Sequence, residues 1–232
     1  MANLTGDQRE KYVQGMFARI AWRYDRMNRL MTAGQDMRWR QEVIRRAALM
    51  PSCRLLDLGA GTGDLAAEAR RQYPGSRVTA ADFTLEMMQA GKSQRESAIT
   101  WSGADALHLP FPDETFEAVV SGFLLRNVSD ITLALHEQQR VLKPGGHMVA
   151  LDTTRPPKNL LSPFINFHLN KVIPTLGKLV TGEAEAYTYL LDSTQGFLTA
   201  EQLAGRLVEA GFRNVGFRRV MLGTVAIHWG RK

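Results

Sequence analysis

Leu55-Leu56-Asp57-Leu58 runs straight into Gly59-Ala60-Gly61-Thr62-Gly63-Asp64, and no other stretch limits the fold as tightly. A short apolar run that ends in a glycine turn and then opens a helical pattern is the strand, turn and helix of an open α/β sheet. Ligands of such sheets bind at the carboxyl ends of the strands. A side chain at Gly59 or Gly61 would hold a bound molecule away from the backbone, and such turns often need positive φ. Any ligand here must touch main chain.

The surrounding sequence repeats the unit. After Pro51, short apolar runs at Arg54–Leu58, Arg77–Ala81, Ile99–Ser102, Ala118–Ser121 and His147–Leu151 alternate with helical segments, which predicts βαβ units and a parallel sheet. Leu142-Lys143-Pro144-Gly145-Gly146 predicts a helix end and a turn before His147. Thr199 to Ala210 reads as a helix stopped by Gly211, and Val215–Val220 with Thr224–Trp229 as a hairpin around Gly223. The expectation is a Rossmann-like α/β fold: a mostly parallel seven-stranded sheet, an antiparallel C-terminal hairpin, and helices on both faces.

Upstream, Val13, Met16, Phe17, Ile20, Ala21, Tyr24, Met27 and Leu30 recur at steps of three and four, predicting one amphipathic helix from Val13 to Met31. Its other side carries Arg19, Arg23 and Arg26, so it either rests on anionic headgroups or packs on the domain. A second helical stretch covers Arg38 to Leu49. Residues 1–50 therefore read as a helical substrate cap and 51–232 as the ligand-binding domain. A proline-interrupted, apolar insertion at 155–196 reads as a further cap.

The chain has 232 residues and a formal charge of +6, which fits one elaborated domain and an anionic partner. Arg38-Trp39-Arg40 with Arg45 and Arg46 is the densest basic run, and is expected to be a solvated helix face. No run approaches the roughly 20 apolar residues of a membrane span, and Met1 to Glu10 lacks the features of an export signal. The expected location is cytoplasmic, peripherally at the inner face of the membrane. Cys53 is expected to be a buried structural thiol, and the scattered His108, His136, His147, His168 and His228 predict no metal.

Glycines at 59, 61 and 63 give G-x-G-x-G rather than the dinucleotide spacing G-x-G-x-x-G. Asp57 and Asp64 beside the loop would oppose a diphosphate and favour the sulfonium and ammonium groups of S-adenosylmethionine. Asp82 closes the second strand about 20 residues on, where a carboxylate can accept both ribose hydroxyls; it could also cap a helix over Thr84 to Gly91. Asp105 is placed to bond an adenine amino group and the Ala106 backbone the ring, unless Asp105 is a turn residue.

With Leu109-Pro110-Phe111-Pro112-Asp113-Glu114-Thr115-Phe116 and Val141-Leu142-Lys143-Pro144-Gly145-Gly146, these residues resemble class I S-adenosylmethionine methyltransferases. Met16-Phe17-Ala18-Arg19-Ile20-Ala21-Trp22-Arg23-Tyr24-Asp25-Arg26-Met27-Asn28-Arg29-Leu30-Met31 resembles the N-terminal signature of the UbiE/MenG family, the C-methyltransferases of menaquinone and ubiquinone biosynthesis. Leu125-Arg126-Asn127-Val128, Tyr187-Thr188-Tyr189-Leu190 with Ser193, Ala210-Gly211-Phe212 and Val225-Ala226-Ile227-His228 extend the resemblance over nearly the whole chain.

The resemblance implies methylation of a ring carbon of a prenylated quinol, demethylmenaquinol to menaquinol, with S-adenosylmethionine as cofactor. It places cofactor contacts on Thr62, Asp82, Asp105 and Ala106; Asp57, Gly59, Gly61, Phe83 and Gly122 complete the expected set. Arg126 and Asn127 are expected to hold the ring oxygen as phenolate or through a water, with Tyr24 third and His168 as an alternative proton acceptor. Each has an ordinary alternative: Arg126 pairs with Asp25 or Asp130, Asn127 caps the helix near Ser129, and Tyr24 packs in the core. The family usually has serine where this chain has Gly122, with Ser121 as the substitute hydroxyl, and Glu-Phe-Ser-Lys-Pro where this chain has Asp152-Thr153-Thr154-Arg155-Pro156; its later Phe-Pro pair is Phe197-Leu198 here. A small soluble phenol, polyketide or amine substrate remains an alternative, as does a non-catalytic nucleotide- or RNA-binding module. The expected partners are a lipid quinol, the membrane surface and a second copy in a homodimer, with no nucleic acid.

Overall fold

The computed structural model describes residues 7–94, 98–156, 189 and 193–232, with side chains from residue 12 onward. Seven strands form one sheet: β1 (Arg54–Leu58), β2 (Arg77–Asp82), β3 (Ile99–Gly103), β4 (Phe116–Gly122), β5 (Leu142–Thr153), β6 (Arg213–Val220) and β7 (Val225–Arg231), in the order β3-β2-β1-β4-β5-β7-β6. The pairs β1–β2, β2–β3, β1–β4 and β4–β5 are parallel. Only β7 runs against its neighbours, pairing antiparallel with both β5 and β6. The expected fold class is the observed one.

Alternation along the strands sorts the core into two layers. On one face Leu55, Val78, Val120 and Val149 pack with Val43 and Ile44 of α3 (Asp36–Arg46) and Leu65 and Ala66 of α4 (Asp64–Gln72). On the other, Leu56, Leu58, Val119 and Met148 pack with Leu135 of α6 (Ile131–Val141) and with Leu203 and Leu207 of α7 (Ala200–Glu209). Leu56, Leu135 and Leu207 are fully buried, and each contributes about 1.5–3 kcal/mol through area removed from water. The α7 start is fixed by a capping box between Thr199 and Gln202, which satisfies two end groups reciprocally.

Register positions the site. Leu58 of β1 lies opposite Ala81 of β2 and Ser121 of β4, and Asp82 lies opposite Gly103 of β3. The residues that follow these strands therefore emerge at one edge, on either side of the point where strand order reverses between β1 and β4.

Several expectations need correction. The single N-terminal helix is two, α1 (Asp7–Ile20) and α2 (Tyr24–Met31), separated by a 3₁₀ turn at Ala21–Arg23. This break lets Ala21 pack on Met87 and Ala90 of α5 (Leu85–Gln94) while Met16, Ile20 and Met27 form their own cluster. The turn expected at Leu142–Gly146 is instead absorbed as an irregularity within β5, which already pairs at Leu142 with Phe116. Gly145, at φ +77°, provides the bend. The hairpin link is a 3₁₀ turn at Met221–Gly223, and β7 starts at Val225 rather than Thr224.

The basic run is not a uniformly solvated face. Trp39 and Arg40 are buried, and the Arg46 guanidinium lies 3.5 Å from the centre of the Trp229 ring, so part of the charge belongs to packing. Cys53 is buried, as expected.

Candidate active site

The glycine loop leaves β1 with Gly59 at φ +66° and Gly61 at φ +57°. A Cβ on Gly59 would lie 2.8 Å from Leu124 Cδ1, so the close approach and the left-handed backbone both require glycine. The Gly61 amide donates to Asp82 Oδ2 at 2.7 Å, and the Thr84 amide donates to Asp82 Oδ1 at 2.7 Å. Asp82 thus makes the short-range bond foreseen for a helix cap and also tethers the glycine loop. Burial pushes its pKa up against those hydrogen bonds, and the residue borders a cavity.

That cavity encloses about 860 Å³ including its mouth. Gly59, Gly61, Asp82, Phe83, Asp105, Ala106 and Gly122 all line it, and Val13, Gln14, Phe17 and Tyr24 form a wall from the N-terminal helices. Gln14 Nε2 donates to the Phe83 carbonyl at 3.3 Å, fastening α1 to the end of β2. Asp105 is half-exposed and accepts from the Leu107 amide at 2.9 Å, with His108 Nδ1 at 3.2 Å from its other oxygen. It is both a turn residue and a cavity residue.

A second, smaller and partly open chamber lies against the other side of the loop, lined by Tyr24, Arg40, Asp57, Thr62, Asp64 and Gly122 among others. Arg40 forms a buried ion pair with Asp36 and another with Asp64 at 3.0 Å. Burial works against its charge, but the two carboxylates prevail and raise its pKa. Asp57 faces α4 because it shares the strand face of Leu55. Its Oδ2 accepts from the Ala66 amide at 2.9 Å, while buried Oδ1 has no hydrogen-bond partner. Desolvation pushes this carboxyl up to about 7, opposed by the Ala66 bond and reinforced by Asp82 and Asp64. The Thr62 hydroxyl donates to Asp25 Oδ1 at 2.6 Å, so α2 is bonded directly to the glycine loop.

Of the three candidate catalytic residues, the structure brings Tyr24 and Asn127 to the main cavity and sets Arg126 behind it. Burial raises the Tyr24 pKa, opposed first by the nearby Arg126 cation. Asn127 donates from Nδ2 to the Phe123 carbonyl at 3.0 Å and accepts the Tyr189 hydroxyl at 3.2 Å. Helix α6 is capped instead by Asp130, which accepts the Leu133 amide at 3.0 Å. The Arg126 side chain is only 4% exposed and pairs with Asp152 at 2.8 Å, a partner absent from the expected alternatives. Ser121 is buried in β4 at 1% exposure and lines neither chamber. His168, Tyr187, Thr188, Leu190 and most of the 155–196 insertion lie outside the described residues.

Sequence reasoning missed Arg40, whose spacing from Asp36 already allowed a helical i, i+4 pair, and Phe123 and Leu124, which line the main cavity. Phe123 is a non-glycine residue at φ +61°, a conformation that propensity gives no warning of. Among the described residues no group of three or more His, Cys, Asp and Glu side chains could hold a metal ion, and no helix is long and apolar enough to cross a membrane.

Residues 5–232 match the model of the ubiE/COQ5 methyltransferase family. The chain belongs to that family. It is 48% identical over 221 residues to the ubiquinone/menaquinone biosynthesis C-methyltransferase UbiE of Desulfotalea psychrophila, covering 95% of this chain and 90% of the relative. It is 43% identical over 229 residues to the demethylmenaquinone methyltransferase of Roseiflexus castenholzii, covering 97% and 95%. Among solved structures, a SAM-dependent methyltransferase of Thermotoga maritima superposes with a TM-score of 0.68 at 19% identity, covering 94% of this chain and 99% of that one. At that identity the likeness shows the fold alone. Family and fold together make this ubiE/COQ5 member an S-adenosylmethionine-dependent methyltransferase.

The two chambers fit that cofactor. One offers a carboxylate at the end of β2 and an apolar wall; the other offers opposite charges, as an amino-acid zwitterion requires. Neither presents the cluster of cations that a diphosphate would need.

Proposed function

We propose that this ubiE/COQ5 member methylates a ring carbon of a prenylated quinol, converting demethylmenaquinol to menaquinol, while associated peripherally with the inner face of the membrane. The observation that carries the reading is the near full-length match to enzymes named for this reaction. It is supported by an apolar cavity, walled by Phe17, Phe123, Leu124 and Val128, beside the glycine loop.

In this reading Asp82 accepts the ribose hydroxyls, Asp105 and the Ala106 backbone hold the adenine, and Phe83 covers its ring. Gly59, Gly61 and Gly122 leave room for close approach, and Thr62 keeps α2 on the loop through Asp25. Arg40 and Asp64 pair with the carboxylate and ammonium of the amino-acid end, and the spare oxygen of Asp57 faces the same charge. When bound, S-adenosylmethionine supplies an activated methyl group.

The remaining work falls to the chain's own residues. A phenol with pKa near 10 is a weak carbon nucleophile until its oxygen carries negative charge. Tyr24, kept protonated by burial, donates a hydrogen bond to the ring oxygen, and Asn127, held by Phe123 and Tyr189, orients it. Arg126, ion-paired with Asp152 behind the cavity, turns the positive end of that pair toward Tyr24 and so favours the developing phenolate. Val13, Phe17 and Tyr24 of the N-terminal helices, which wall the main cavity, cover the ring and exclude water.

Incubation with S-adenosylmethionine and demethylmenaquinol should give a quinol heavier by one methylene unit, with the new methyl on carbon. Methylation of small soluble phenols or amines, with none of any quinol, would overturn the substrate assignment.

A further inference from the structure

We infer that the outward face of α1, the 3₁₀ turn and α2 is a docking surface for anionic lipid headgroups. The inference rests on the reading of the enzyme as acting on a membrane-held quinol, and names the surface and the lipid chemistry involved. From Tyr12 to Met31 the sequence carries four arginines and one aspartate. All four arginines, Arg19, Arg23, Arg26 and Arg29, are exposed. The aspartate, half-buried Asp25, is turned inward and accepts the Thr62 hydroxyl. Among these residues the exposed charge is cationic.

Two large apolar side chains are exposed beside these arginines. Trp22 in the 3₁₀ turn is 65% exposed and Leu30 in α2 is 44%, Leu30 lying four residues from Arg26 on the same helix. Arginines around a tryptophan match the headgroup layer, where cations meet anionic phosphates and the indole sits at the edge of the acyl region. The opposite side of the segment is already occupied: Phe17, Ala21 and Tyr24 pack on α5, and Val13, Phe17 and Tyr24 wall the main cavity. Lipid and substrate thus meet two sides of the same helical layer. A nucleic acid would use the charge too, but one exposed tryptophan among the arginines gives no series of stacking platforms.

The test is sedimentation of the full chain with vesicles of phosphatidylcholine alone or mixed with phosphatidylglycerol. Binding should need the anionic lipid and fall steeply with added salt. R26E/R29E should lower partitioning at least about ten-fold, and W22A should lower it with weaker salt dependence. R77E/R213E, with the same charge change at the far edge of the sheet, should bind like the parent. Turnover of a short-tailed, water-soluble quinol should be unchanged in R26E/R29E. Equal binding to neutral vesicles, equal loss in R77E/R213E, or a preference for single-stranded RNA over anionic vesicles would each overturn the docking surface. Vesicle binding without turnover of any quinol would instead retain this surface and overturn the substrate reading.

Discussion

Asp82, the last residue of β2, accepts the amide of Gly61 in the loop that leaves β1, at 2.7 Å. One carboxylate therefore shapes the loop and borders the main cavity. Asp82→Ala should weaken adenosylhomocysteine about 10- to 100-fold, since it removes charge-assisted hydrogen bonds and frees the loop. Calorimetric titration checks this, and an unchanged dissociation constant would remove Asp82 from the ribose role.

Arg40 is predicted to recognise only one end of the cofactor. Arg40→Gln should weaken adenosylhomocysteine by about ten-fold or more, through loss of a charge-assisted contact, while leaving 5′-methylthioadenosine, which lacks the amino-acid end, nearly unaffected. The variant should also melt earlier, because fully buried Asp36 would lose its cation, at a cost of about 3–5 kcal/mol. Equal loss for both ligands would refute the assignment.

Asp57 makes stability depend on pH with an unusual sign. Its pKa rises on folding from 3.8 to about 7, so between those values the folded chain holds a proton that the unfolded chain has released. Its contribution is fully present below pH 4 and is lost as pH rises toward 7, by at most roughly 4 kcal/mol. Asp57→Asn keeps an acceptor for the Ala66 amide and cannot ionise. Melting temperatures of the variant should therefore overtake the parent above neutral pH and show less decline between pH 5 and 8. Parallel curves would show that Asp57 does not titrate there.

Gly59 and Leu124 give a paired test of the loop. Gly59→Ala should destabilise by about 1–2 kcal/mol from the left-handed backbone alone, and further from the 2.8 Å approach to Leu124. Adding Leu124→Ala should recover the steric part and leave the backbone part. Denaturant melts of the two single variants and the double variant measure the coupling.

What was legible in the sequence was local. The glycine loop, Asp82 and Asp105 stand at the ends of short apolar runs that alternate with helical segments, the mark of buried parallel strands, so the sheet edge they share was foreseeable before any register was known. Arg126 was identified as a residue, but its partner Asp152 lies 26 positions away, and only the parallel pairing of β4 with β5 brings the two together. Arg40 was hidden in a basic run because its burial depends on Asp64, which α4 presents across the α3 interface. The break at Ala21–Arg23 was illegible because its apolar spacing suits a continuous helix; packing on α5 and a separate cluster at Met27 decides otherwise. The same holds for Leu142–Gly146, where proline and glycines signal a reversal but pairing with β4 captures the segment as the irregular start of β5.

Tyr24 borders both chambers, and the helix it begins is held to the loop by the bond between Asp25 and Thr62. If α2 swings away, the spent donor and the methylated ring lose their enclosure together. Exchange of the two leaving molecules then shares one gate, and the pace of repeated turnover is expected to follow the opening of that gate rather than the making of the carbon–carbon bond.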